Sequence, residues 1–252
     1  MSEQSSSSEI HQNRYSDAIR NAKNLGIDAF QNWFNRSQNV QQSIVRGYWD
    51  FSIHMLTPTV CKLIVAPEQK TALEIGFGGG RLLNAACKYF QYAIGVDIHE
   101  EQAYVETFLK EQGNQNFKLL RTTNNKIAIE ANSVGFVYSF IVLQHLPTLD
   151  SLTGYLEEIH RVLEPNGVAQ LYFGKFNNLK LFERLKAFMI GYKEIINPPV
   201  NHISLVLRVS KMRTLCQIYG FQVVESGSSY KAVPDGFPKS RGGQNYVTLL
   251  RR

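Results

Sequence analysis

Thr71-Ala-Leu-Glu-Ile-Gly-Phe-Gly-Gly-Gly-Arg81 is a short apolar run that ends in an acid and a glycine cluster, and the fold is read outward from it. The apolar part reads as a buried strand, and Leu82 onward resumes helical spacing. Between them, Gly76, Gly78 and Gly80 allow positive φ and let the backbone approach a ligand with no Cβ in the way. A strand, a tight loop and a helix start follow one another, an arrangement that points loop amides and a helix N-terminus at a polar ligand above the strand edge. A dinucleotide fingerprint is excluded by spacing: counted from Gly76 its last glycine falls on Arg81, and counted from Gly78 on Leu83.

The spacing that is present is Glu-x-Gly-x-Gly-x-Gly, carried by Glu74, Gly76, Gly78 and Gly80, and one helix later Tyr92-Ala-Ile-Gly-Val-Asp97 reads as a second strand closed by an acid. Together these resemble motif I and the following acidic position of the class I S-adenosylmethionine-dependent methyltransferases. The resemblance implies that Glu74 orients the loop near the cofactor's amino-acid end and that the glycines, with Phe77 among them, pass the methionine moiety. It also implies that Asp97, with Ile98 beside it, accepts from both ribose hydroxyls, and a carboxylate has the two acceptor oxygens that a vicinal diol asks for.

The resemblance continues to residue 174. Phe117 to Arg121 reads as a third strand, but the acid that the family usually places after it is replaced by Thr122-Thr123-Asn124-Asn125, so Thr123 is the expected adenine contact. Val134 to Leu143 reads as the fourth strand, and Gln144-His145-Leu146-Pro147 is similar to the family's segment at that point. Ser139, Phe140 and Gln144 are then expected near the reacting methyl group. His145 is the first candidate base, because imidazole titrates close to neutrality, and a structural role in the following turn is its alternative. Ser151 to Leu163 is an amphipathic helix, Glu164 to Gly167 a turn, and Ala169 to Phe173 a fifth strand.

Flanking segments are expected to build the acceptor site. Residues 1–9 are Ser-rich and are expected to be a disordered tail. Residues 10–66 read as helices and, by the resemblance, as a lid over cofactor and acceptor, in which Tyr48, Trp49, Phe51 and His54 are the pocket contributors. Residues 67–252 are the methyltransferase domain, with a helical insertion at 175–210 before the sixth strand. Tyr172 and Lys175 are added to the acceptor contacts, and Lys180, Arg184 and Lys186 are basic positions in the same insertion. Asn201-His202 followed by a helix and Gly220-Phe221 resembles the ending of methyltransferases acting on small metabolites, which makes His202 the second candidate base or polar contact. The expected architecture is a doubly wound α/β fold, a seven-stranded and mostly parallel sheet of Rossmann-like methyltransferase type.

Composition narrows the function classes. The chain has 252 residues, 44% of them hydrophobic and 19% charged, as in ordinary globular proteins. No apolar run approaches the roughly 18 residues of a membrane-spanning helix, and Met1-Ser-Glu-Gln-Ser-Ser-Ser-Ser lacks the basic start and apolar core of a signal peptide. Cys61, Cys87 and Cys216 are isolated from one another, so neither a disulfide framework nor a metal site is expected, and a cytoplasmic setting is the default. Residues 168–252 hold 13 basic against 4 acidic side chains, a balance of +9 that leaves −3 for the rest.

That basic third makes a nucleic-acid methyltransferase the first alternative. It is not favoured, because Asn197-Pro198-Pro199-Val200 lies in the insertion and not after the fourth strand, where amino-directed enzymes carry their Asn/Asp-Pro-Pro-Tyr/Phe motif. A non-catalytic partner subunit is the second, and the intact Glu74, glycine loop and Asp97 argue against it. The favoured reading is methyl transfer from S-adenosylmethionine to an oxygen, nitrogen or carbon nucleophile of a small molecule.

Overall fold

A computed structural model describes residues 7–123, 125–176, 187–229 and 243–252. The anchoring stretch forms β1 (Thr71–Ile75), a glycine loop and α5 (Arg81–Tyr89). Gly76, Gly78 and Gly80 all have positive φ, at 78°, 51° and 83°. Around this unit the sheet also contains β2 (Tyr92–Asp97), β3 (Phe117–Arg121), β4 (Val134–Ser139), β5 (Leu163–Phe173), β8 (Phe221–Ser228) and β9 (Asn245–Arg251). Its order is β3-β2-β1-β4-β5-β9-β8. The pairings from β3 through β5 are parallel, and β9 runs antiparallel to both β5 and β8. This is the doubly wound, mostly parallel seven-stranded sheet that the sequence implies.

Alternation along the strands sends successive side chains to opposite faces, and each face has its own core. Leu73, Ile75 and Val137 pack with Leu152, Leu156 and Ile159 of α7 (Leu149–Val162) and with Met212 and Cys216 of α8 (Val209–Ile218). Ala72, Phe136 and Tyr138 face the other way, onto α5, α6 (Gln102–Glu111) and the N-terminal helices. Those helices are α1 (Ser7–Asn24), α2 (Ile27–Asn35), α3 (Val40–Asp50), a π-helical turn (Phe51–Met55) and α4 (Pro58–Leu63). Phe30, Phe51, Met55 and Val60 from this region are completely buried, and burial of such side chains contributes about 1.5–3 kcal/mol each. Residues 27–63, with Ile19 of α1, therefore share a core with the sheet. The first turn of α1 begins inside the stretch expected to be disordered.

The insertion also differs from expectation. Residues 187–190 are helical, but β6 (Tyr192–Glu194) and β7 (Leu205–Leu207) then form a two-stranded antiparallel ribbon. Between them, Asn197 and Asn201 take positive φ of 49° and 63°, conformations that asparagine tolerates better than most residues, so the Asn-Pro-Pro-Val-Asn run turns the chain back and no helix extends across it. Lys180, Arg184 and Lys186 lie outside the described residues.

β1 has β2 on one side and β4 on the other, so connections leave it toward both faces. In open α/β sheets the ligand crevice opens at such a switch point, beyond the carboxyl ends of the strands.

Candidate active site

The crevice is a cleft of about 1100 Å³ including its open mouth. Its floor is the carboxyl ends of β1, β2 and β4, with Glu74, Gly76 to Gly79, Asp97 and Ile98, and Phe140 to Val142. Its roof is α1 and α2, through His11, Gln12, Tyr15, Ile19, Trp33 and Phe34, with Asn201 closing one end.

Close approach of backbone to its neighbours explains the glycines. A Cβ on Gly76 would lie 2.2 Å from Val142, and one on Gly78 would lie 2.7 Å from the Phe34 ring. Two contacts hold the loop beneath α2. Gln31 Nε2 donates to the Gly79 carbonyl at 2.8 Å, and Gly78 N donates to Asp97 Oδ2 at 2.8 Å. The other carboxylate oxygen of Asp97 accepts from Ile98 N at 2.7 Å. His99 is fully buried, and its Nδ1 accepts from Glu101 N, so its Nε2 carries the proton donated to the Gly78 carbonyl at 3.1 Å.

Glu74 is buried at the base of the cleft, and Tyr138 donates to its Oε2 at 3.1 Å. Burial pushes its pKa up to about 8, against the opposing effects of the Tyr138 hydrogen bond and the Arg81 charge. Arg81 also lines the cleft, with its guanidinium 2.5 Å from Asp50 and 5.9 Å from the Phe140 ring centroid.

After β4, Ile141 has φ 65°, a left-handed conformation that costs a β-branched residue free energy and recurs at functional sites. It turns the chain directly after Phe140 and leads into His145. His145 Nδ1 donates to the His202 carbonyl at 2.7 Å, which leaves Nε2 to accept from Gln144 Nε2 at 3.1 Å. Burial lowers its pKa to about 4, so the ring is neutral at ordinary pH. The roof is tied to the same corner: His11 Nε2 donates to the His145 carbonyl at 2.8 Å, and Tyr15 Oη accepts from Asn201 N at 3.0 Å. Burial raises the Tyr15 pKa to about 12, so the phenol keeps its proton.

Of the residues singled out from sequence, Glu74, Gly76, Phe77, Gly78, Asp97, Ile98, Phe140 and His145 line this one cleft. Gly80 starts α5 behind it, and Ser139 is buried and donates to the Ile75 carbonyl. Gln144 bonds to His145 and Gln244, and Thr123 is exposed and bridged to Lys126.

The expected acceptor contacts fall elsewhere. Tyr48 is half-buried and Trp49 is exposed on α3, which approaches α5 so closely that a Cβ on Gly47 would lie 2.3 Å from the Arg81 carbonyl. His54 stacks on Phe140 at 4.9 Å and meets Tyr172, so both fill the space beside Phe140 without lining the cleft. Phe51 is wholly buried, Lys175 lies beside Gly243, and His202 is exposed and offers its carbonyl to His145. The roof is supplied by α1 and α2, one step earlier in the chain. Sequence reading took residues 10–66 as helices without assigning Tyr15, Trp33 or Phe34 to the pocket, and it named Asn201 only as the neighbour of His202 and gave Ile141 no role.

A family model described as a methyltransferase domain matches residues 73–171, which span β1 to β5 and hold the whole floor of the cleft. The sheet that holds them has the Rossmann-like fold of the S-adenosylmethionine-dependent methyltransferases. The chain is 32% identical over 127 residues to chondramide synthase of Chondromyces crocatus, covering 49% of this chain and 3% of that protein. It is 29% identical over 114 residues to phosphoethanolamine N-methyltransferase 1 of Zea mays, covering 42% of this chain and 20% of that protein. The chain thus spans a fifth or less of the length of these curated relatives. Among solved structures, it superposes with a TM-score of 0.62 on 1,6-didemethyltoxoflavin-N1-methyltransferase of Burkholderia thailandensis, at 15% identity and covering 100% of this chain and 93% of that one.

The lining of the cleft fits S-adenosylmethionine. Asp97 Oδ1 accepts the backbone N–H groups of Ile98 and His99, and Oδ2 accepts that of Gly78 alone and retains acceptor capacity toward the cleft. The positive-φ glycines leave the loop surface free of side chains where a ligand would lie against it. Among the described residues, no group of three or more His, Cys, Asp or Glu side chains is placed to hold a metal, and no helix is long and apolar enough to cross a membrane.

Proposed function

We propose that this methyltransferase moves the methyl group of S-adenosylmethionine to an oxygen, nitrogen or carbon nucleophile of a small molecule. The observation that carries this reading is the single cleft in which Glu74, the glycine loop and Asp97 face the aromatic roof of α1 and α2 across the strained turn after Phe140. Asp97 would take the ribose hydroxyls, Glu74 and the loop from Gly76 to Gly79 the amino-acid end, and Phe140 and Ile141 would flank the transferred methyl.

The cofactor supplies a methyl carbon already activated on a sulfonium, so its C–S bond breaks to a neutral thioether as the new bond to the acceptor forms. The chain's part is alignment and exclusion of water, which together supply large rate factors without covalent work. His145 serves that part as a positioning residue: both ring nitrogens are engaged, and its low pKa makes it a poor proton acceptor at neutral pH. Tyr15, protonated and facing the cleft, is the available donor to an acceptor group. A proton on the acceptor then leaves to solvent.

The small-molecule assignment is supported by the enclosure of the cleft beneath α1. It also agrees with the solved relative crystallised with 1,6-didemethyltoxoflavin and S-adenosylhomocysteine. Calorimetric titration with S-adenosylmethionine, S-adenosylhomocysteine and NADH tests the reading. Micromolar binding of the first two and none of the third is expected, and binding of none of the three would overturn it.

A further inference from the structure

Resting on the methyl-transfer reading, the chemistry of the acceptor end points to one class of substrate. The formally charged side chains among the described residues lining the cleft are Glu74, Arg81 and Asp97, and each is engaged: by Tyr138, by Asp50, and by the Gly78 and Ile98 amides. Glu74 and Asp97 belong to the glycine-loop side, and Arg81, 5.9 Å from the Phe140 ring, has its charge paired with Asp50.

The wall around Tyr15 is different in kind. Tyr15 and Trp33 meet edge to face at 6.1 Å and 86°, and Trp33 and Phe34 at 4.8 Å and 79°, so their rings stand at steep angles to one another as walls of one chamber. Phe140 lines the same cleft. The polar atoms among these rings are neutral. Tyr15 Oη already accepts the Asn201 amide, so its own proton remains to be donated. Asn201 Nδ2 donates to the Trp33 carbonyl, which leaves Oδ1 as an acceptor. His11 spends its Nε2 proton on the His145 carbonyl, which leaves Nδ1 as an acceptor.

Flat apolar walls with a few fixed neutral donors and acceptors select a flat, uncharged ligand that carries its own N–H, O–H or carbonyl groups. Aromatic faces also attract cations, but a cationic acceptor would sit next to the sulfonium and be repelled by it at short range. A phosphate or carboxylate would meet no unengaged cation among the described lining residues. We propose that the acceptor is a neutral, planar aromatic or heteroaromatic ring, held between Trp33 and Phe140 and hydrogen-bonded by Tyr15 and Asn201, with a ring O–H or N–H as the methylated group.

The test uses the full-length protein saturated with S-adenosylhomocysteine, so that cofactor binding is established before any acceptor is added. A panel of hydroxyquinolines, catechols and purinones is titrated calorimetrically beside phosphoethanolamine, ethanolamine and a dicarboxylic acid. At least one ring compound should bind with Kd below about 1 mM, and the charged compounds should not. The chain has two tryptophans, and Trp49 lies outside the cleft, so a Trp49→Phe protein reports Trp33 fluorescence alone and should show saturable quenching by the bound ring. Trp33→Leu should weaken ring binding about tenfold at saturating S-adenosylhomocysteine. Binding of phosphoethanolamine or ethanolamine in place of the rings overturns the proposal, and so does failure of the whole panel while S-adenosylhomocysteine binds. Failure of S-adenosylhomocysteine itself overturns the methyl-transfer reading beneath it.

Discussion

The backbone N–H of Gly78 donates to Asp97 Oδ2 at 2.8 Å, joining the glycine loop after β1 to the acid that closes β2. One carboxylate therefore both shapes the loop and lines the cleft. Asp97→Ala removes both functions and should weaken S-adenosylhomocysteine binding at least tenfold by calorimetry. Asp97→Asn keeps one acceptor oxygen and should lose less. Equal losses would mean that the carboxylate acts on the loop alone, and an unchanged Kd for Asp97→Ala would remove the ribose assignment.

Gly78→Ala tests the loop from the other side. Its φ of 51° strains any L residue, and the new Cβ would lie 2.7 Å from the Phe34 ring. Gly113 has a φ of 74° with nothing within 4 Å of an added Cβ, so Gly113→Ala isolates the backbone cost of roughly 1–2 kcal/mol. Both variants should melt earlier than the parent, but only Gly78→Ala should also lose affinity for S-adenosylhomocysteine. A Gly78→Ala protein with parental affinity would show that Phe34 moves aside without consequence for the site.

The floor of the cleft was legible in the sequence because it is written locally. Glu74 and the glycines lie within seven residues of one another, and Asp97 closes the next strand. The roof was not, because it depends on how helices from the start of the chain dock on that floor. Tyr15 meets Asn201, 186 positions away, and neither residue type nor spacing announces the pair. The aromatic content of residues 48–54 suggested the pocket contributors within the lid expected at 10–66, but Gly47 lets α3 pack directly on the start of α5, and the cleft is lined instead by α1 and α2 of the same segment. A ribbon in place of a helix at 192–207 follows from two asparagines in left-handed conformations around a Pro-Pro step, where a helical insertion was expected.

His145 ties the turn after β4 to the His202 carbonyl and is held neutral, with a pKa lowered by burial to about 4 from 6.5. A lowered folded-state value means that its contribution is present above pH 6.5 and is lost as pH falls toward 4, because the unfolded ring takes up its proton first. His145→Asn should therefore flatten the acid side of the melting profile between those values while lowering Tm at pH 7 through the lost His202 contact. An unchanged acid limb would place the titrating group elsewhere. Methyl transfer by this variant should keep the parent's pH dependence above pH 6.5, and a base role would instead show as loss of a rate-controlling ionisation.

Glu74 has the opposite sign. Burial raises its pKa from 4.5 to about 8, so the fold favours the protonated acid. Its stabilising contribution is full below pH 4.5 and is lost progressively as pH rises to about 8, where the buried group must ionise or the fold must bear the cost. Glu74→Gln keeps the shape and an acceptor for the Tyr138 hydroxyl but has no charge to desolvate. It should match the parent near pH 4.5 and become the more stable protein above pH 8. The difference is expected to be on the order of a few kcal/mol, because each tenfold change in an acid's dissociation constant corresponds to about 1.4 kcal/mol. Melting curves of the ligand-free proteins from pH 4.5 to 9 read this directly, and parallel profiles would show that Glu74 is ionised in the fold throughout that range. The same substitution should weaken S-adenosylmethionine, whose amino-acid end is assigned to this position, so that the more stable protein at pH 8 is also the weaker binder.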